Sequence, residues 1–100
     1  LCHCGWCKKT PGYNGNTFAV LMDHACSNFK HLSGTSDTFK RIADSANTMT
    51  SYACGRCSCI MWVHPESQPA LRVIRTGTIN DADVLNSLAP SKELYCSPRP

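Results

Sequence analysis

The chain lacks any long apolar run. Its densest stretch, Ile60-Met61-Trp62-Val63, is short, against the ~18 residues a membrane-spanning helix needs. No membrane partner is therefore expected. Charge is sparse: 17% of the 100 residues are charged and 42% are hydrophobic, a balance that excludes a disordered chain or a coiled coil. The charge imbalance is also small. A net +3 does not by itself argue for nucleic acid as a partner. There is no low-complexity tract, no linker, and no internal repeat beyond a paired C-G-x-C. No targeting segment is visible, although the sequence starts at Leu1. Residues 1–100 read as a single domain with a modest core.

What the chain does have is cysteine: eight, at positions 2, 4, 7, 26, 54, 57, 59 and 96. Six fall in two tight clusters. Cys2-His3-Cys4-Gly5-Trp6-Cys7 reads C-x-C-x-x-C, and Cys54-Gly55-Arg56-Cys57-Ser58-Cys59 reads C-x-x-C-x-C. A C-x-x-C turn aims two thiolates at one centre, with Zn–S about 2.3 Å. Glycine after the first cysteine, at Gly5 and Gly55, suits a tight turn that points backbone amides at sulfur. Clustering of this kind favours zinc over the alternatives, a disulfide framework or redox C-x-x-C chemistry. Zinc thiolates in turn point to a reducing, cytoplasmic setting. Cys26 and Cys96 stand alone and read as small buried hydrophobes. Cys59 begins an apolar segment and reads as core, with a ligand role as the alternative.

The pattern along the chain is mainly β. Residues 1–10 form the first cysteine loop, and residues 11–16 are dense in turn formers. Strands are expected over Thr17–Met22, Asn28–Leu32, Cys59–His64 and Leu71–Ile79, the last bulged at Gly77; Asp37–Ala43 alternates loosely, and Thr48–Ala53 leads into the second cysteine loop. Ser33-Gly34 and Asp44–Asn47 read as turns. Asn80 is placed to cap a short helix over Asp81–Leu88, with Asp81 and Asp83 facing its positive end. Many short strands with loop-borne cysteines place a metal at the edge of a sheet.

These residues resemble the glutathione-dependent formaldehyde-activating enzyme family, which also includes centromere protein V. The resemblance rests on Cys2-His3-Cys4-Gly5-Trp6-Cys7-Lys8-Lys9, Ser33-Gly34, Tyr52-Ala53-Cys54-Gly55-Arg56-Cys57, Arg75-Thr76-Gly77-Thr78-Ile79 and Glu93-Leu94-Tyr95. It implies a β-tent fold of antiparallel sheets pinned by zinc. It further implies a zinc on Cys2, Cys4 and Cys7 with an open fourth position, and a structural zinc held partly by Cys54 and Cys57. In the family an upstream C-x-C completes that second site, and no such motif precedes Leu1. Ser58 stands where the family usually has glycine. The chain therefore reads as a member shortened at both ends. For the Cys54/Cys57 site, Cys59 with His64 or Cys96 is one way to complete the ligand set. A single zinc shared by Cys4, Cys7, Cys54 and Cys57 is another, although the 46 intervening residues exceed the usual ribbon spacing of about 15–20.

The activity implied is that of a zinc-dependent carbon–sulfur lyase acting on a glutathione adduct such as S-hydroxymethylglutathione. Cys2, Cys4 and Cys7 would carry the reactive metal. Lys8 and Trp6 are the candidates for touching glutathione: Lys8 for a carboxylate, Trp6 as a pocket wall. An open zinc position holds a thiol as thiolate near neutral pH, so activation needs no dedicated general base. Alternation with Cys2 and Cys4 points His3 away from the metal in an extended segment. His24, His31 and His64 read as loop or surface histidines. The competing readings are a non-catalytic zinc-stabilised interaction module, with Lys40, Arg41, Arg72 and Arg75 as its basic surface, and an inactive fragment. A homodimer that covers a sheet edge fits any of them.

Overall fold

The computed structural model describes residues 1–9, 17–22 and 28–97. The elements in chain order are α1 (Gly5–Lys9), β1 (Phe18–Met22), β2 (Ser36–Ile42), β3 (Thr48–Cys54), β4 (Ile60–Pro65) and β5 (Leu71–Arg75). A 3-10 turn over Thr76–Thr78 and a helix, α2 (Ala82–Ser87), follow. The strands make one five-stranded sheet in the order β1-β5-β4-β3-β2. The pairs β2–β3, β3–β4 and β4–β5 are antiparallel. The mainly β expectation holds, and among the described residues there is a single sheet. No described helix is long and apolar enough to cross a membrane. The expected turn over 11–16, as well as His24 and Cys26, lies outside the described residues.

The chain divides into two compact units, one of residues 1–19 and 75–100, the other of residues 20–74. In the second unit, β2 and β3 are joined where the sequence places a turn. The Ala43 amide donates to Asn47 O at 2.8 Å and the Ala46 amide to Ala43 O at 2.8 Å, with Ala46 at φ 66°. That closure sets Ile42 opposite Thr48. The period of two then sorts the side chains. Ser51 pairs with Val63, and Ser51, Ala53 and Val63 are all buried on one face. On the other face Tyr52 pairs with Trp62, and their rings stack at 4.9 Å.

Four expectations about elements are corrected. Asn28–Leu32 is not a strand. Its alternation serves ring packing instead: Phe29 and His31 both meet Trp62 in T-shaped contacts, at 5.0 and 5.7 Å between ring centroids. The strand expected to run to Ile79 ends at Arg75, and Gly77 lies in the 3-10 turn rather than a bulge. That turn is held by Thr78 Oγ1 donating to Arg75 O at 2.7 Å, and by buried Thr76, whose amide and hydroxyl both donate to Thr17 O at 3.2 Å. The helix is capped by Asp81, not Asn80; its carboxylate accepts from the Val84 amide at 3.0 Å. Lastly, the first cysteine segment is not all loop, because α1 occupies its second half.

Candidate metal centre

The first unit carries the opening motif. Residue 2 forms an isolated parallel bridge with residue 94. The Leu94 amide donates to Leu1 O at 2.9 Å, and the His3 amide donates to Leu94 O at 3.0 Å. In this extended stretch Cys2 and Cys4 fall on one side. The chain then turns into α1 at Gly5, and the helix brings Cys7 back to them. The three sulfurs lie within 4.8 Å of one another. Cys4 and Cys7 are buried and Cys2 is half-buried. Among the described residues this is the one group of three or more potential ligands that converges in this way.

The thiols do not titrate alike. Burial pushes Cys2 up. Burial also pushes Cys7 far up, and the charges of Cys2 and Cys4 add to the effect. Burial acts on Cys4 in the same direction, but N–H donors from Cys7 and Trp6 together with the two neighbouring thiols outweigh it, so Cys4 falls below its ordinary value. The trio thus favours one thiolate that accepts from two thiols. A divalent cation held there would take over the role of those protons. Three convergent sulfurs suit a borderline-soft ion with tetrahedral preference, of which zinc is the type.

His3 is buried, and its Nε2 lies 3.9 Å from Glu93 Oε2. Trp6 is half-buried in α1. Lys8 lies in the same helix, and its side chain is outside the described part of the structure.

The second cluster lies in the other unit. Cys54 ends β3, and a turn follows in which Ser58 N donates to Cys54 O at 2.9 Å and Cys54 N donates to Cys59 O at 2.8 Å. The Arg56 amide reaches Cys54 Sγ at 3.4 Å, and this contact, with help from Cys57, holds the Cys54 thiol below its ordinary value. Backbone amides do face sulfur here, as expected of the motif. The left-handed position is Ser58 at φ 63°, however, not Gly55. Gly55 is needed for a different reason: a Cβ there would come within 2.7 Å of Thr35 Oγ1 and 3.0 Å of Thr35 O.

Two cysteine expectations fail. Cys59 is exposed rather than core, because the turn closes on its carbonyl and leaves the thiol outside, 3.8 Å from Ile60 O. Cys96 is also exposed, and its thiol lies 3.8 Å from Glu93 Oε2. Neither joins Cys54 and Cys57 in a converging group of three. His64 is committed elsewhere, with Nδ1 2.7 Å from Leu71 O and 2.8 Å from Arg72 Nη1. His31 is exposed, as expected of a surface histidine, with Nε2 2.8 Å from Ser33 O. The basic residues are also engaged: Lys40 pairs with Glu66 at 2.6 Å, and Arg72 and Arg75 lie over the rings of Phe29 and Phe18.

The model of the glutathione-dependent formaldehyde-activating enzyme family matches residues 1–98. The chain belongs to this family. No curated protein and no solved structure matches it. As a member of the formaldehyde-activating family, the chain places its converging cysteines in the stretch that opens the match. The contact between His3 and Glu93 was not foreseen. Nothing local marks it, because the two residues are 90 positions apart.

Proposed function

We propose that the protein is a zinc-dependent carbon–sulfur lyase that makes or breaks the bond between glutathione sulfur and a one-carbon aldehyde, with S-hydroxymethylglutathione as the adduct. The observation that carries this reading is the convergence of Cys2, Cys4 and Cys7 within 4.8 Å in a chain matched by this family over residues 1–98. Three sulfurs leave one corner of a tetrahedron for a ligand from outside. Zinc held by Cys2, Cys4 and Cys7 would supply a Lewis-acid position that favours the thiolate form of a glutathione sulfur.

The chain's own residues hold and orient. The amides of Cys7 and Trp6 already favour negative charge on Cys4, so part of the cost of assembling three thiolates is met in advance. Trp6, in the same helix as Cys7, is proposed to wall the space beside the site. Lys8, one residue past Cys7, is proposed to meet a glutathione carboxylate. In the forward sense sulfur attacks the carbonyl carbon, a C–S bond forms and the carbonyl oxygen takes a proton. In the reverse sense the hydroxyl gives up that proton, C=O re-forms and the C–S bonding pair returns to sulfur. Positioning replaces a dedicated base in this scheme.

The remaining parts of the reading are proposals of the same kind: a single β-tent domain pinned by zinc, with Cys54 and Cys57 as ligands of a second ion. The test is exchange spectroscopy by NMR on an equilibrium mixture of glutathione and formaldehyde. Zinc-loaded protein is expected to speed interconversion of free and adduct signals, and the Cys4→Ser variant to lose most of that effect. Equal rates with and without zinc-loaded protein would sink the proposal.

A further inference from the structure

The feature that the proposed chemistry leaves unused is a carboxylate reaching the metal loop from the other end of the chain. We propose that Glu93 is a positioning residue for the Cys2/Cys4/Cys7 site, acting through the imidazole of His3. The inference rests on the proposed metal site.

His3 sits between two of the three convergent cysteines, and its side chain is only 6% exposed. A buried polar ring needs a partner that fixes its orientation. Glu93 Oε2, on a side chain that is 40% exposed, lies 3.9 Å from His3 Nε2. The carboxylate thus touches solvent on one side and the imidazole on the other. Its backbone is fixed as well. The Leu94 amide donates to Leu1 O at 2.9 Å, and the His3 amide donates to Leu94 O at 3.0 Å. Both bonds are made by Leu94, so the backbone next to Glu93 is pinned to the C-x-C segment. The Cys96 thiol, 3.8 Å from the same Oε2, restrains it from the solvent side.

The consequence is mechanical. In an extended C-x-C the middle side chain points opposite to the two cysteines. Fixing the ring of His3 therefore fixes the rotation of the backbone that aims Cys2 and Cys4. Groups outside the ligand set that orient the ligands change metal affinity by roughly 10–100-fold when removed, and here the imidazole and the carboxylate behind it both stand outside the ligand set.

The experiment uses the full chain loaded with Co(II), whose visible bands report the geometry of thiolate coordination. Affinity is read by competition with a chromophoric chelator. Glu93→Ala is expected to weaken Co(II) binding by roughly 10–100-fold and to shift the ligand-field bands. Glu93→Gln, which keeps an acceptor oxygen, is expected to restore most of both. Leu94→Ala, on the same segment, is expected to leave the bands in place. Unchanged bands and affinity in Glu93→Ala overturn the proposal. So does an equal loss in Leu94→Ala, which would mean that the segment acts only as a strap. Should Glu93→Ala not fold, Glu93→Asp decides: a shortened reach is expected to give an intermediate shift, and wild-type behaviour refutes the idea. Failure of the wild-type chain to bind Co(II) through Cys2, Cys4 and Cys7 sinks the metal site itself, a result distinct from the others.

Discussion

Ser58 and Gly55 show how one turn divides its demands between two residues. Ser58 adopts φ 63°, a conformation that costs an L-residue roughly 1–2 kcal/mol. Ser58→Gly is expected to raise stability by about 1 kcal/mol, read from the midpoint of urea unfolding of the metal-free chain. Gly55 has no such demand on φ; it makes room for Thr35. Its amide donates to Thr35 O at 3.0 Å, and an added Cβ would press on that same carbonyl. Gly55→Ala is expected to cost about 1–3 kcal/mol in the same measurement. The sequence announced the turn through C-G-x-C but not this division, because both residues respond to a neighbour outside the motif.

At the scale of elements, the strands were legible and the first helix was not. Apolar segments located β1, β4 and the start of β5 to within about one residue, because a buried strand needs its side chains sorted by a period of two; β2 showed only a loose alternation. The α1 segment, Gly5–Lys9, is too short for a helical period to show. Asn28–Leu32 alternated like a strand because a ring partner, Trp62, rewards the same spacing as a sheet face. In α2 the capping signal was right in kind and one residue off in place, since both Asn80 and Asp81 have acceptor side chains. Asp81→Ala is expected to lower stability by about 1 kcal/mol, with loss of helical signal in circular dichroism. Asn80→Ala, which removes no cap, is expected to leave both unchanged.

For the whole molecule, the decisive quantities are protons and metal. Cys2 and Cys7 lie above the ordinary thiol value of 9.0 in the folded chain, whereas Cys4 lies below it. At neutral pH, uptake of one Zn²⁺ by the trio is expected to release the protons of Cys2 and Cys7 together with any that Cys4 still carries, measurable by calorimetry in buffers of different ionisation enthalpy. Affinity should therefore rise with pH. The metal-free fold behaves differently. Groups with raised folded values add stability that is full below pH about 9 and is lost as pH climbs through the folded values. Cys4 adds stability above its unfolded value, which is lost as pH falls through its depressed folded value. Metal-free protein is thus expected to lose melting temperature above about pH 9, and zinc-loaded protein to keep it. Of the candidate site, the three cysteines were legible because their ligand spacing is local. Exposure of Cys59 and Cys96, and the approach of Glu93 to His3, depend on how distant segments close, which spacing does not encode.

The parallel bridge between residues 2 and 94 carries a consequence for biosynthesis. Translation delivers Cys2, Cys4 and Cys7 about 90 residues before the segment that seats them. The thiols of the nascent chain must therefore wait, uncoupled from their eventual clasp, while nearly everything between is made. Assembly of the centre thus follows synthesis of residue 94, and its yield should depend on how reducing the surroundings stay during that interval.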